Sequence, residues 1–179
     1  MVTPLVATTP RLVLRPVAEE DAEPTAALVT ADVSENLLSW EYPTTAEQVI
    51  ERVRTAQEKV ERRQAVNWAI LRREDQQLVG WIRIARVRGG LGSIGYWLGG
   101  EFRGQGYMRE AASSVIKMAS DYLSLNTIRA DVFPDNKASI SVLEALAFRR
   151  CGSRTVHSAN KGTQVKVCRY RRDLTTDQR

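Results

Sequence analysis

The chain has one histidine, His157, two cysteines, Cys151 and Cys168, and few aromatic residues, 7% of 179. Each scarcity excludes something. A zinc site of the usual His/Cys kind needs three or four ligands, more than this inventory offers. Two cysteines cannot build a disulfide framework, and a lone histidine rules out most nucleophilic triads. No apolar run approaches the ~20 residues that span a bilayer, and the first ten residues lack the basic-then-apolar order of a signal peptide. Cytoplasmic localisation, with both cysteines reduced, is the resulting expectation. Chemistry must come from carboxylates, hydroxyls, backbone amides or a bound organic cofactor, with no metal.

With 43% apolar and 26% charged residues, the chain has the composition of a folded protein with a core. Its length suits one domain over residues 1–179, with a core of about residues 9–174. The formal charge of +5 is uneven: from Arg149 onward nine Lys/Arg face two Asp, whereas the first 148 residues carry 17 basic and 19 acidic groups. A basic end can attract nucleic acid, a membrane surface or an anionic ligand. The plainer alternative is a solvated strand face whose Lys and Arg stems cover apolar neighbours. There is no base-reading motif and no dense interleaving of aromatic and basic residues, so neither nucleic acid nor a membrane is expected as a partner.

Periodicity predicts the elements. Residues 11–15 alternate as a strand, and 18–29 read as a short helix with Pro24 near its start. Thr45 to Gln48 form a capping box, followed by Val49, Val53, Ala56 and Val60 at helical spacing, to about Arg63. Strands follow at 67–71, 78–86 and 93–98, then a glycine-rich loop, Gly99 to Gly106. Met108, Ala111, Ala112, Val115, Met118, Ala119 and Tyr122 mark the strongest helix. A strand at 128–133, a helix at 136–146 and strands at 150–156 and 164–171 complete the order. This is an α/β (α+β) pattern: a mixed, mostly antiparallel sheet of about six or seven strands with helices on both faces.

The strongest chemical signal is Glu101-Phe102-Arg103-Gly104-Gln105-Gly106-Tyr107-Met108-Arg109, after a strand and at the start of the long helix. The two glycines let the backbone turn tightly, and the first helical turn leaves N–H donors unpaired at the positive end of the dipole. Together these features suit a pyrophosphate. Arg103 and Arg109 add charge, on sides that helical phase sets apart. A tight turn that merely needs glycine is the alternative for the loop taken alone. The third glycine of a dinucleotide fingerprint would fall at Arg109, and no Gly-Lys-Ser/Thr follows, so the rival phosphate motifs do not fit.

Ile94-Gly95-Tyr96-Trp97-Leu98 followed by Phe102-Arg103-Gly104-Gln105-Gly106-Tyr107-Met108-x-Glu110-Ala111 resembles the GNAT acetyltransferase superfamily, in its RimJ/RimL branch. The likeness extends through Arg11-Leu12-x-Leu14-Arg15-Pro16, Trp68-Ala69-Ile70, Leu78-Val79-Gly80 and Asn136-x-x-Ser139-x-x-Val142-Leu143-Glu144, about Thr9 to Leu174. It implies an acetyl-CoA-dependent N-acetyltransferase acting on a primary amine, either a protein N-terminus or a small molecule, by direct attack in a ternary complex. It also implies a V-shaped opening between the strand at 93–98 and the strand at 128–133. Pantetheine would pair with backbone near Trp97 and Leu98. The pyrophosphate would rest on the amides of Arg103, Gly104, Gln105, Gly106, Tyr107 and Met108, with Asn136 and Ser139 near the cofactor's far end. For Asn136 and Ser139 the alternative is plain helix capping. Relatives commonly form homodimers, and a homodimer is the expectation here. A non-catalytic acyl-CoA sensor with the same cleft is the competing reading.

The chain departs from the family in three places. The tyrosine that many relatives carry on the last helix as proton donor is Leu143 here, which leaves Ser139 to serve the leaving thiolate. The branch's Phe-x-x-Glu-Gly pattern reads Phe148-Arg149-Arg150-Cys151-Gly152, and the carboxylate is missing. Glu41, in the Trp40-Glu41-Tyr42 loop, is the replacement candidate for the base, Asp131 a second, and a water relay a third. Cys151 as an acetyl-accepting nucleophile lacks a neighbouring base, and a small buried hydrophobe is the expected role. Lastly, Ala147 replaces the glycine expected before Phe148, so the helix there is expected to end differently. His157 is expected in a surface turn.

Overall fold

The computed structural model describes residues 5–174. Eight strands form a single sheet, β1 (Ala7–Thr8), β2 (Leu12–Pro16), β3 (Ala65–Arg72), β4 (Leu78–Arg88), β5 (Leu91–Leu98), β6 (Thr127–Val132), β7 (Arg149–Ser158) and β8 (Thr163–Asp173). Their spatial order is β1-β2-β3-β4-β5-β6-β8-β7, antiparallel everywhere except between β5 and β6. The sheet is thus slightly larger than the expected six or seven strands. The additional strand, β1, is two residues long and has no periodicity to detect.

Five helices, α1 (Ala22–Leu28), α2 (Ala31–Glu35), α3 (Ala46–Glu61), α4 (Tyr107–Leu123) and α5 (Lys137–Ala145), flank the sheet. The helix expected over 18–29 begins as a 3-10 turn at Glu19–Asp21, and α2 is a five-residue helix too short to show a period. α3 begins where the capping box requires: Thr45 Oγ1 accepts from the Gln48 amide, and the Gln48 side chain accepts from the Thr45 amide.

α4 lies on one face of the sheet. Its Ala111, Ala112, Val115 and Ala119 are fully buried over Leu12, Leu14, Trp68, Ile82 and Ile84. Small residues at three of those four positions let the helix axis approach the sheet closely. The opposite face receives Val49, Val53 and Ala56 of α3 against Ala69, Trp81 and Trp97. Each branched side chain so buried contributes about 1.5–3 kcal/mol.

The end of α5 corrects one expectation. The helix closes as a glycine-bearing helix would: the Ala147 amide donates to Glu144 O at 3.0 Å and the Phe148 amide to Leu143 O at 2.9 Å. Ala147 itself takes the left-handed conformation, φ +61°. The two returning bonds and the buried Phe148 hold it there. An L-residue is disfavoured in that region by about 1–2 kcal/mol, so Ala147→Gly is expected to stabilise the protein by roughly 1 kcal/mol in urea unfolding at an unchanged m-value.

Cys151 is exposed, not buried, because β7 is the outer edge strand and nearly all its side chains meet solvent; Cys168 is the buried one. His157 is exposed as well, within β7 and not in the turn that follows it.

Candidate active site

β5 and β6 pair only at Leu91–Thr127, Gly92–Ile128 and Ser93–Arg129, and then part. Beyond them β5 continues to Leu98, bonded on its other side to β4 and unpaired toward β6. This is the V-shaped opening. It forms part of a cleft of about 1020 Å³ that joins the two faces of the sheet.

At one end of the cleft lies the glycine loop. Gly104 (φ +75°) and Gly106 (φ +78°) both occupy the left-handed region. A Cβ at Gly104 would touch nothing within 4 Å, so this glycine serves conformation and not space. The backbone it shapes leaves the amides from Gly104 to Arg109 without an acceptor among the described residues; the first helical bond is from the Glu110 amide to Gly106 O at 3.1 Å. Arg103 and Arg109 both border the cleft, despite the phase that was expected to separate them, because Arg103 precedes the helix. Arg103 also pairs with Asp32 at 2.6 Å. The Gln105 side chain turns away and donates to Glu101 O at 3.0 Å.

A clamp invisible in the loop's own sequence holds it in place. Arg11 Nη1 donates to Gln105 O at 2.9 Å, and Arg11 Nε donates to Glu110 Oε2 at 2.7 Å. Glu110 Oε1 also accepts from Thr9 Oγ1 at 2.6 Å and from the Arg11 amide at 3.0 Å. Burial pushes the Glu110 carboxyl up, but these hydrogen bonds and the Arg11 charge outweigh it and hold the group below its ordinary 4.5. The carboxylate therefore supports the fold fully above the ordinary value and loses that support as the pH falls through the lowered one. We expect Glu110→Gln to lower thermal stability near neutral pH and to leave less further loss on acidification below about pH 4 than wild type shows, as read by melting curves across pH.

Further along the cleft, Ser139 sits on the first turn of α5. Asn136 caps this helix, its Oδ1 accepting from the Ser139 amide at 3.1 Å, so capping is one role Asn136 performs. The Ser139 hydroxyl lies 3.1 Å from the Tyr96 hydroxyl, which also donates to Ser139 O at 3.2 Å. Burial pushes the Tyr96 phenol up to about 12, against a smaller lowering by the Ser139 hydrogen bond. Sequence reasoning missed Tyr96 as a site residue: it sought a phenol on the last helix, where Leu143 stands, and the structure brings one from β5.

The other face of the sheet forms the cleft's second end. Trp40, Trp81 and Trp97 pack as a trio, with Trp40 edge-on to Trp81 at 5.3 Å and to Trp97 at 5.5 Å. Trp97 Nε1 is buried with no partner. Asp131 borders this end, its oxygens engaged by Arg154 at 2.5 Å and Arg169 at 3.4 Å. Glu41 is not among the residues that line the cleft: it is exposed, in an adjoining depression with Thr44, Gln48, Glu51 and Arg52, of which the last two also line the cleft. Cys151 does not line the cleft either.

A protein-family model described as an acetyltransferase (GNAT) domain matches residues 11–149. The chain belongs to the GNAT acetyltransferases. Its sequence is 29% identical over 157 residues to the Bacillus subtilis (strain 168) protein called uncharacterized N-acetyltransferase YoaA, covering 87% of this chain and 89% of that one. Its fold matches ribosomal-protein-S5-alanine acetyltransferase from Vibrio fischeri with a TM-score of 0.82 at 19% identity, over 94% of this chain and 96% of the other. Mycobacterium smegmatis RimJ in complex with CoA-disulfide matches with a TM-score of 0.81 at 20% identity, over 94% and 84%. The chain is thus a GNAT acyltransferase, and its fold is like those of the ribosomal-protein-alanine acetyltransferase and RimJ. Among the described residues no group of His, Cys, Asp or Glu could hold a metal, and no helix is long and apolar enough to cross a membrane.

Proposed function

We propose that this protein transfers the acetyl group of acetyl-CoA to a primary amine, either a peptide N-terminus or a small molecule, by direct attack in a ternary complex. One observation carries the reading: the run of free amides at the loop and the unpaired edge of β5 open into the same cleft, which passes through the sheet to a second face. When bound, acetyl-CoA supplies the activated thioester. The residues suited to hold it are the amides from Gly104 to Met108, with Arg103 and Arg109 supplying charge for the diphosphate. The free backbone of β5 near Trp97 and Leu98 suits the pantetheine amides, and its N–H groups are donors for charge developing on the acetyl oxygen.

The hydroxyls of Ser139 and Tyr96 form the proton source for the departing sulfur. A phenol held near 12 stays protonated through the neutral range and can donate there. The incoming amine must lose a proton. Asp131 is engaged by two guanidiniums and Glu41 faces solvent outside the cleft, so a water relay through the open second end is the reading we favour. A panel of peptides and small amines incubated with acetyl-CoA, with release of free thiol followed, tests the proposal. Amine-dependent release is the expected result. Tight binding of acetyl-CoA with no release across the panel would instead make the protein a sensor of acyl-CoA.

A further inference from the structure

The second end of the cleft has an unusual charge balance. Arg52, Lys59, Arg83, Arg129, Arg154 and Arg169 line it, against Glu51 and Asp131. Three of the basic groups are accounted for locally. Arg154 and Arg169 share Asp131. Arg52 packs over the Trp40 ring at 4.5 Å and donates to Ser39 O at 2.5 Å. Lys59, Arg83 and Arg129 remain. Among the described residues neither of the two guanidiniums has a hydrogen bond or an ion pair, and Arg129 Nε is buried without a partner.

The sheet places these two side chains on the same face. Asn67 pairs across the sheet with Arg83, Arg83 with Gly95, and Ser93 with Arg129. By strand alternation Asn67 and Arg83 share the face of Ala69 and Trp81, opposite Ile82 and Ile84. Gly95, between the two arginines, has open space where a side chain would stand, with nothing within 4 Å of its Cβ position. Asn67 Oδ1, at the edge of this space, is a buried acceptor with no donor. Arg83 is exposed to the cleft, and partial desolvation by the surrounding walls pushes its proton affinity down.

We propose that the acceptor amine carries its own oxyanion, a carboxylate or a phosphate, which Arg83 and Arg129 bind above Gly95. The inference deepens the acetyl-transfer reading and rests on it for the role of the bound molecule as acceptor. Its chemistry is direct. Arg129 has a buried guanidinium nitrogen without a partner, which is costly, and an oxyanion can bridge that guanidinium to the exposed Arg83 with charge-assisted bonds. Two unpaired positive charges also disfavour an ammonium beside them, which lowers its pKa and helps to present the neutral amine that attack requires. That suits an end of the cleft where basic groups outnumber Glu51 and the engaged Asp131. The same field repels acceptors that are only cationic, so polyamines and lysine-rich termini are excluded. Asn67 Oδ1 is placed to accept an N–H of the acceptor.

The test compares the tripeptide amides Ala-Asp-Ala, Ala-phosphoserine-Ala, Ala-Asn-Ala and Ala-Lys-Ala as acceptors. Either anionic peptide should exceed the Asn peptide in kcat/KM by about 10- to 100-fold, with the Lys peptide lowest. The faster of the two anionic peptides identifies the oxyanion. Arg83→Gln/Arg129→Gln should bring the anionic-to-Asn ratio close to one. The same ratio in binding is read by calorimetry with the N-acetylated Asp and Asn peptides in the presence of CoA, which needs no turnover. A wild-type ratio near one in both measurements, or a ratio that survives the double substitution, overturns the proposal. Preferential binding of the acetylated Asp peptide by a protein that acetylates neither these four nor any amine of the wider panel would uphold the anion site and remove the enzymatic reading.

Discussion

Replacing both loop glycines, Gly104→Val with Gly106→Val, is expected to weaken coenzyme A binding about 100-fold or more. Both positions lie at positive φ, +75° and +78°. An L-residue pays about 1–2 kcal/mol in this region, and a β-branched one more. The pair therefore costs about 2–4 kcal/mol, or some 30- to 1000-fold if the loop must regain its present shape to bind. The variant loop relaxes away from that shape, and apparent affinity falls with the competent fraction. At Gly106 a Cβ would meet the Arg11 guanidinium at 3.4 Å, an ordinary contact, so there too the cost is one of backbone conformation. Gly162→Val, with the same kind of backbone (φ +60°) in the β7–β8 turn away from the cleft, provides the control and should bind normally. Calorimetric titration with coenzyme A, alongside melting curves for all three proteins, reads the outcome. Unchanged affinity in the double variant would mean that the free amides are not the diphosphate site.

The second large effect concerns the hydroxyl pair. Ser139→Ala combined with Tyr96→Phe should lower kcat by about 100-fold or more while KM for acetyl-CoA changes only a few-fold. Each single substitution should cost less than half of that in logarithmic terms, because the remaining hydroxyl, about 3 Å away, can serve the same proton. Removing either oxygen leaves the volume nearly unchanged, so packing around α5 should survive. Since the Tyr96 phenol stands at about 12, its loss should not move any limb of the pH–rate profile below about pH 10. Full turnover in the double variant would assign the proton to water and leave the pair a structural tie between β5 and α5.

How far these features could be read from the chain follows from their distance along it. The glycine pair, the capping box at Thr45 and the alternation in β4 are local, each set by a few consecutive residues, and the structure places them where the pattern does. β1 and α2 carry two and five residues, too few for a period to rise above chance. The alanine at 147 misled in the opposite direction. Propensity opposes a left-handed alanine, but two returning hydrogen bonds and a buried phenylalanine outweigh it. Cys151 was misjudged because residue type predicts burial only on average, and edge position decides it in β7.

The candidate site divides in the same way. The glycine loop was legible because backbone conformation is encoded by nearby glycines in sequence, and the pyrophosphate site we propose there would be made of backbone. The clamp of Arg11 on Glu110 spans 99 residues and the Tyr96–Ser139 contact spans 43. No spacing rule relates such pairs; strand register and helix docking do. The chain alone thus determined the fold class and the shape of the glycine loop, since both follow from local torsional preference and hydrophobic period. Only the tertiary structure decided which hydroxyls meet, which carboxylates are engaged and which two arginines face an open floor, because these depend on side chains brought together by packing across the sheet.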